Sequence, residues 1–86
     1  MQPTYNVIFI RFLNGMVITC DVAPSDTIIA LKEKVQDTLQ QQYKLGIPAI
    51  RQCLFYAGAE LEEDTRTLSD YNIHMESNID IVIITG

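Results

Sequence analysis

One amphipathic segment separates two stretches rich in β-branched residues, and this order constrains the fold more than any other feature of the sequence. Within the segment, apolar residues recur at intervals of three and then four, which places them on one stripe of an α-helix. The stripe consists of Ile28, Leu31, Val35, Leu39 and Tyr43. Thr27 is suited to cap the start of this helix. Gly46 and Pro48 predict that it ends at about residue 43 or 44.

The stretch before this helix predicts a β-hairpin. Two runs of β-forming residues, 5–12 and 17–22, are separated by a short polar segment that contains Asn14 and Gly15. Asn-Gly pairs supply the positive φ angles of tight hairpin turns. In the second run Ile18, Cys20 and Val22 alternate with polar residues, so we expect them on the buried side, with Cys20 as a small core residue.

The stretch after the helix predicts three further strands. The segment "CLFYAGAEL" is typical of a strand, a turn at Gly58 and a short return strand. The segment "NIDIVII" predicts a last strand whose Ile79, Ile81 and Ile83 share one side. The whole chain then has the order of a two-layer α+β domain, with one helix packed across a mixed sheet of four to five strands.

Composition excludes several classes of function. A chain of 86 residues forms one domain, and its formal net charge of -5 disfavours nucleic acids and anionic membranes. Cys20 and Cys53 form no metal-binding motif, so we expect reduced thiols, no metal and no cofactor. No leader or membrane-spanning segment is visible, which predicts a cytoplasmic or nuclear location.

The sequence resembles the ubiquitin family along nearly its whole length. The matching segments, in order, are "MVITCDVAPSDTI", "KEKVQD", "GIP", "LFYAGAELE" and "RTLSDYNIHMES". The resemblance implies the β-grasp fold for residues 7–86 and makes residues 1–6 an N-terminal extension. Compared with ubiquitin, this chain has about six additional residues around "LQQQYK". Because the apolar stripe continues through them, we expect an additional helical turn or more, which is a candidate second contact.

A catalytic site is not expected. Ser69, Asp70, His74 and Ser77 are close in sequence, but "TLSDYNI" is a structural loop in the family that the chain resembles. A catalytic triad also requires side chains that converge on a cleft. We therefore predict no enzymatic activity and a solvent-facing His74.

The resemblance does imply a binding surface. The family's apolar recognition patch carries over to Leu13, Phe55 and Val82, with Gly58 in the adjacent turn. Three apolar residues on one face favour protein binding over chance exposure. The positions at which ubiquitin carries basic residues beside this patch are Cys53, Ala59, Asp80 and Ile84 in this chain. The expected partner-binding residues are Leu13, Cys53, Phe55, Gly58, Asp80, Val82 and Ile84.

The resemblance leaves three functions open. A conjugated modifier requires a flexible tail that ends in two glycines, whereas this chain ends in Thr85 and Gly86. The leading prediction is therefore a non-conjugated interaction domain, monomeric in isolation, which recruits ubiquitin-pathway or proteasome-related proteins. Its partners would be helical motifs or domains that resemble ubiquitin receptors. The alternatives are a modifier linked through Gly86 after processing, and a fixed structural subunit of a larger assembly.

Overall fold

The computed structural model describes residues 6–85, which form a five-stranded mixed sheet and one long helix. The predicted α+β class and the predicted mixed sheet are confirmed. The elements are β1 (Val7–Arg11), β2 (Val17–Asp21), α1 (Ile28–Tyr43), a short 3-10 helix (Ala49–Arg51), β3 (Gln52–Tyr56), β4 (Ala59–Glu60) and β5 (Asn78–Ile83). The proposed N-terminal extension, residues 1–6, lies almost entirely outside the described residues, and the boundary at residue 7 stays a prediction.

The sheet places the first and last strands side by side. The strand order is β2-β1-β5-β3-β4, in which β1 and β5 are parallel and every other neighbouring pair is antiparallel. β5 is therefore the central strand. Its buried residues, Ile79 and Ile81, lie in the middle of the core beside Ile10 of β1 and Leu54 of β3.

The β1–β2 hairpin closes with a turn that differs from the expected one. Gly15 has a φ of 91°, but Asn14 does not share the positive φ that the sequence analysis assigned to both residues. The Gly15 amide donates to the Phe12 carbonyl, and the Phe12 amide donates to the Met16 carbonyl. This is a three-residue loop in which only the glycine must adopt the left-handed conformation.

Helix α1 begins directly after its predicted cap, Thr27, and it includes the additional residues around "LQQQYK". Thr27 Oγ1 accepts a hydrogen bond from the Ala30 amide, as expected of an N-cap. The residues at four positions of the predicted stripe are buried, namely Ile28, Leu31, Val35 and Leu39. The expected helical turn in the extra residues is confirmed, with Leu39 fully buried, whereas Tyr43 at the end of the stripe is exposed.

The helix ends at Lys44 rather than through the expected glycine. Lys44 has a φ of 58°, and its amide donates to the carbonyls of Gln40 and Leu39. Gly46 has no positive φ, so its proposed role as the stop residue is wrong, although the predicted end at residue 43 or 44 is correct. Lys44 is exposed, and its left-handed backbone places its amide where it bonds two carbonyls at the end of α1.

Candidate protein-interaction face

The sheet has one face that α1 covers and one that it leaves open, here called the outer face. Strand alternation puts Leu54 on the covered side and Cys53 and Phe55 on the outer face. On β5, the exposed Asp80 and Val82 alternate with the buried Ile79 and Ile81 and the partly buried Ile83. Cys53 pairs directly with Val82, and Phe55 pairs directly with Asp80. Because directly paired residues project to the same side of a sheet, these four side chains are neighbours.

Five of the predicted binding residues line one shallow depression of about 600 Å³. These are Leu13, Phe55, Gly58, Asp80 and Val82. Arg11, Phe12 and Gly15 complete its lining. The other two predicted residues, Cys53 and Ile84, do not line the depression. They continue the same face towards the end of the sheet at which Ile84 donates its amide to the Arg51 carbonyl.

Two turns shape the ends of the depression. Leu13 lies at the tip of the β1–β2 loop and is 86% exposed, and the Asn14 side chain fixes this loop by accepting the Met16 amide. Ala57 and Gly58 both have positive φ, which allows the two-residue reversal from β3 to β4. An exposed leucine on a loop whose backbone is held by hydrogen bonds presents apolar surface in a defined position.

The outer face carries charges that sequence reasoning missed. Arg11 Nε donates to Asp80 Oδ1 at 2.8 Å, and this hydrogen bond and charge raise the pKa of the Arg11 guanidinium. Glu60 pairs with Phe55 from the opposite side, and Arg51 is exposed beside Ile84. Positive charge therefore remains around the patch, although four positions that are basic in ubiquitin are not basic here: Arg11 lines the depression and Arg51 lies beside Ile84.

The two cysteines lie in different surroundings. Cys20 is buried, as predicted, and burial raises the pKa of its thiol, although a hydrogen bond with Thr38 opposes the shift. Cys53 is half-buried on the outer face. A thiol whose pKa is raised holds little of the reactive thiolate at neutral pH, so Cys20 is a core residue rather than a nucleophile.

Asp70, one of the four residues considered above for catalysis, is hydrogen-bonded within its own loop. Asp70 Oδ2 accepts the Thr67 amide, and Thr67 Oγ1 accepts the Asp70 amide in return. The Thr67 amide is the main cause of the lowered pKa of Asp70. His74 is exposed, as predicted. The pair of reciprocal hydrogen bonds shows that Asp70 stabilises its own loop.

The described residues offer neither a metal cluster nor a membrane-spanning helix. Among residues 6–85, no group of three or more His, Cys, Asp or Glu side chains is arranged to hold a metal ion. Within the same range, α1 and the other helical segment are too short or too polar to cross a bilayer.

Comparison with known proteins shows the family to which the chain belongs. The ubiquitin family model matches residues 8–86. The chain belongs to the ubiquitin family. The sheet and helix described above are thus a ubiquitin-like β-grasp fold, and the resemblance inferred from sequence is confirmed.

Some relatives are much longer than this chain, and others match it over nearly their whole length. The chain is 34% identical to UV excision repair protein RAD23 homolog B of Homo sapiens over 76 residues, which are 88% of this chain but 17% of that protein. It is 31% identical to ubiquitin-like protein NEDD8 of Dictyostelium discoideum and 30% identical to ubiquitin-like protein 1 of Schizosaccharomyces pombe, covering 91% and 90% of them. Each of these two alignments covers 90% of this chain. The ubiquitin-like domain thus spans less than a fifth of its RAD23 relatives.

Proposed function

We propose that this ubiquitin-like domain is a non-conjugated, non-enzymatic interaction module that recruits ubiquitin-pathway or proteasome-related proteins through its outer face. The observation that carries the proposal is the depression in which Leu13, Phe55 and Val82 come together. These residues come from the first hairpin, β3 and β5, so the fold itself brings three distant apolar side chains onto one exposed surface. An exposed apolar cluster with a polar rim is typical of protein-binding sites.

Proteins are the proposed partners because of the charges on the domain. The formal net charge of -5 repels phosphate backbones and anionic lipid headgroups. The outer face also lacks the clustered cations that nucleic-acid binding requires, because its Arg11 is engaged by Asp80. The proposed location is the cytoplasm or the nucleus, where such partners are found, and the isolated domain is proposed to be a monomer.

Substitution of Phe55 tests the proposal. Phe55→Ala is expected to weaken binding to partners about tenfold or more, because it removes a large aromatic side chain that lines the depression between Leu13 and Val82. Ile50→Ala is the matched control, since Ile50 is apolar and 88% exposed but lies outside the depression. Partners are captured by the wild-type chain, purified, and titrated against both variants by calorimetry. Equal affinities for the two variants would contradict the proposed face.

The alternative of a conjugated modifier has its own test. Gly86, the residue that would be linked, lies outside the described residues. NEDD8 of Dictyostelium discoideum matches this chain over 91% of its own length, and this match is the observation that favours the alternative. Incubation with an activating enzyme and ATP, followed by gel electrophoresis without reductant, is expected to give no thioester. A thioester that Gly86→Ala abolishes would establish the modifier instead.

A further inference from the structure

Two carboxylates flank Phe55, which is the last outward residue of β3. Phe55 pairs with Asp80 on one neighbouring strand and with Glu60 on the other, so all three side chains project to the outer face. Both carboxylates are exposed. Arg11 neutralises Asp80 through the 2.8 Å ion pair, whereas Glu60 meets no cation within ion-pair distance among the described residues. One end of the apolar surface is therefore acidic.

The opposite end of the same surface is basic. Arg51 is exposed, and its carbonyl accepts the Ile84 amide at 2.8 Å, which places it where the exposed apolar residues of β3 and β5 end. Among residues 6–85, Arg51 forms no ion pair, in contrast to Lys32, Lys34 and Arg66. Arg51 ends the 3-10 helix directly before β3 and lies four positions before Phe55, which is about 13 Å along an extended chain. Between them lie Cys53 and Val82, with Ile84 beside Arg51.

The structure favours a helical occupant for this surface. β3 and β5 are inner strands of the sheet, and they pair with each other from Gln52 to Phe55. On its other side β3 pairs with β4 at Phe55 and Tyr56, and the Leu54 carbonyl accepts the Leu61 amide, which leaves little edge for a partner strand. A partner on this face therefore contacts mainly side chains. Successive outward residues on a strand are about 6.6 Å apart, close to the spacing of one helical turn, so an apolar helical stripe can follow Cys53 and Phe55.

We propose that the partner is an amphipathic helix with a basic residue at one end of its apolar stripe and an acidic residue about eight positions away. The basic residue covers Glu60 and Asp80, and the acidic residue covers Arg51. The opposite charges of this surface thus fix the direction in which the helix lies. This inference rests on the proposed function, because it takes the outer face as the binding surface and adds the charge pattern and direction of what binds there.

The probe is a synthetic amphipathic peptide of about 16 residues, with a leucine stripe, one lysine end and one glutamate end. A nitroxide label is attached at either end, and broadening of the amide signals of the 86-residue chain is measured by NMR. The label at the lysine end is expected to broaden Gly58 and Glu60, and the label at the glutamate end to broaden Arg51 and Cys53. In the double variant Glu60→Lys, Arg51→Glu the two patterns are expected to exchange.

The affinity of the peptide for charge variants of the domain is the second part of the test. At low ionic strength, Glu60→Lys is expected to weaken peptide binding about three- to fivefold. Glu33→Lys is the matched control, because Glu33 is exposed on α1, away from the outer face, and we expect a change below about twofold. Broadening on the outer face without a preferred direction would overturn this inference alone. Broadening elsewhere, none at all, or full binding by Phe55→Ala would also overturn the proposed function.

Discussion

The ammonium nitrogen of Lys32 lies 2.9 Å from Asp64 Oδ1, and this ion pair joins α1 to the loop that follows β4. The Lys32 side chain is 11% exposed and that of Asp64 is 46% exposed. The Asp64 carbonyl also accepts the Ile29 amide and the Arg66 carbonyl accepts the Ile28 amide, so the loop is attached to the start of the helix by backbone hydrogen bonds as well. A largely buried ammonium that loses its partner keeps its desolvation cost, which makes this pair more important than a surface pair.

Asp64→Asn is therefore expected to lower the free energy of unfolding by about 1–2 kcal/mol. The measurement is urea denaturation followed by circular dichroism. Glu63→Gln is the control, because its partner Arg66 and Glu63 itself are both exposed, and we expect a loss below about 0.5 kcal/mol. Equal losses in the two variants would show that burial of Lys32 adds nothing to the pair.

The added length of α1 is expected to contribute to stability through Leu39. Leu39→Ala removes a fully buried side chain and is expected to cost about 2–4 kcal/mol. Tyr43→Ala, one turn later, removes an exposed side chain and is expected to cost less than about 1 kcal/mol. Thermal and urea unfolding of both variants measure the difference. Similar values would mean that the last turns of the helix are not anchored by Leu39.

The helix shows what sequence patterns predict well. The stripe from Ile28 to Leu39 and the Thr27 cap are local features, and both are found in the structure. The left-handed conformation of Lys44 was not predictable, because the geometry of the preceding turn selects it and the residue type does not. Burial of Gln52 was missed for a related reason. Its side-chain amide donates to the carbonyls of Lys32 and Ile47, which only the folded chain brings near.

The two thiols are expected to react at very different rates. Cys53 is half-buried on the outer face and Cys20 is buried, with a thiol pKa raised mainly by burial. An aromatic disulfide reagent should therefore modify one thiol of the native chain rapidly and the second only when the chain unfolds. Cys53→Ser is expected to remove the fast phase and Cys20→Ser the slow one. Two fast phases in the native wild-type chain would contradict the burial of Cys20.

Stability is expected to fall on acidification because of Asp26. Its Oδ2 accepts the Ala23 amide at 2.9 Å and Lys34 Nζ at 3.0 Å, and these interactions lower the pKa of Asp26 in the folded chain. The folded state then binds fewer protons than the unfolded state. The resulting stability is fully present above the ordinary carboxyl pKa, about 4, and is lost as the pH falls through the lowered value.

Asp26→Asn is the variant that tests this dependence. Above about pH 5 it is expected to be less stable than the wild type, and the two free energies should converge as the pH falls through the lowered pKa of Asp26. Asp37→Asn is the control, because Asp37 is an exposed carboxylate on α1 and its variant should follow the wild-type curve. Urea titrations at several pH values measure the curves. A constant gap between Asp26→Asn and the wild type would contradict the linkage.

The sequence predicts the apolar residues of the candidate face but not how its charged residues are paired. Strand alternation and family resemblance give Leu13, Phe55 and Val82 from sequence. The ion pair between Arg11 and Asp80 joins residues 69 positions apart, so it depends on the register of β1 against β5. Local alternation gives the side to which a residue points but not its neighbour across the sheet. The position of Glu60 beside Phe55 follows from such a register as well.

The parallel pairing of β1 with β5 has a consequence for how the chain is made. During synthesis β1, β2 and α1 leave the ribosome first, but the strand that belongs beside β1 follows only at Asn78–Ile83. Ile8 and Ile10 therefore remain without the central strand until nearly the whole domain has emerged. The nascent chain exposes apolar surface throughout that interval, so its folding is late, and chaperones that bind such surface have time to act on it.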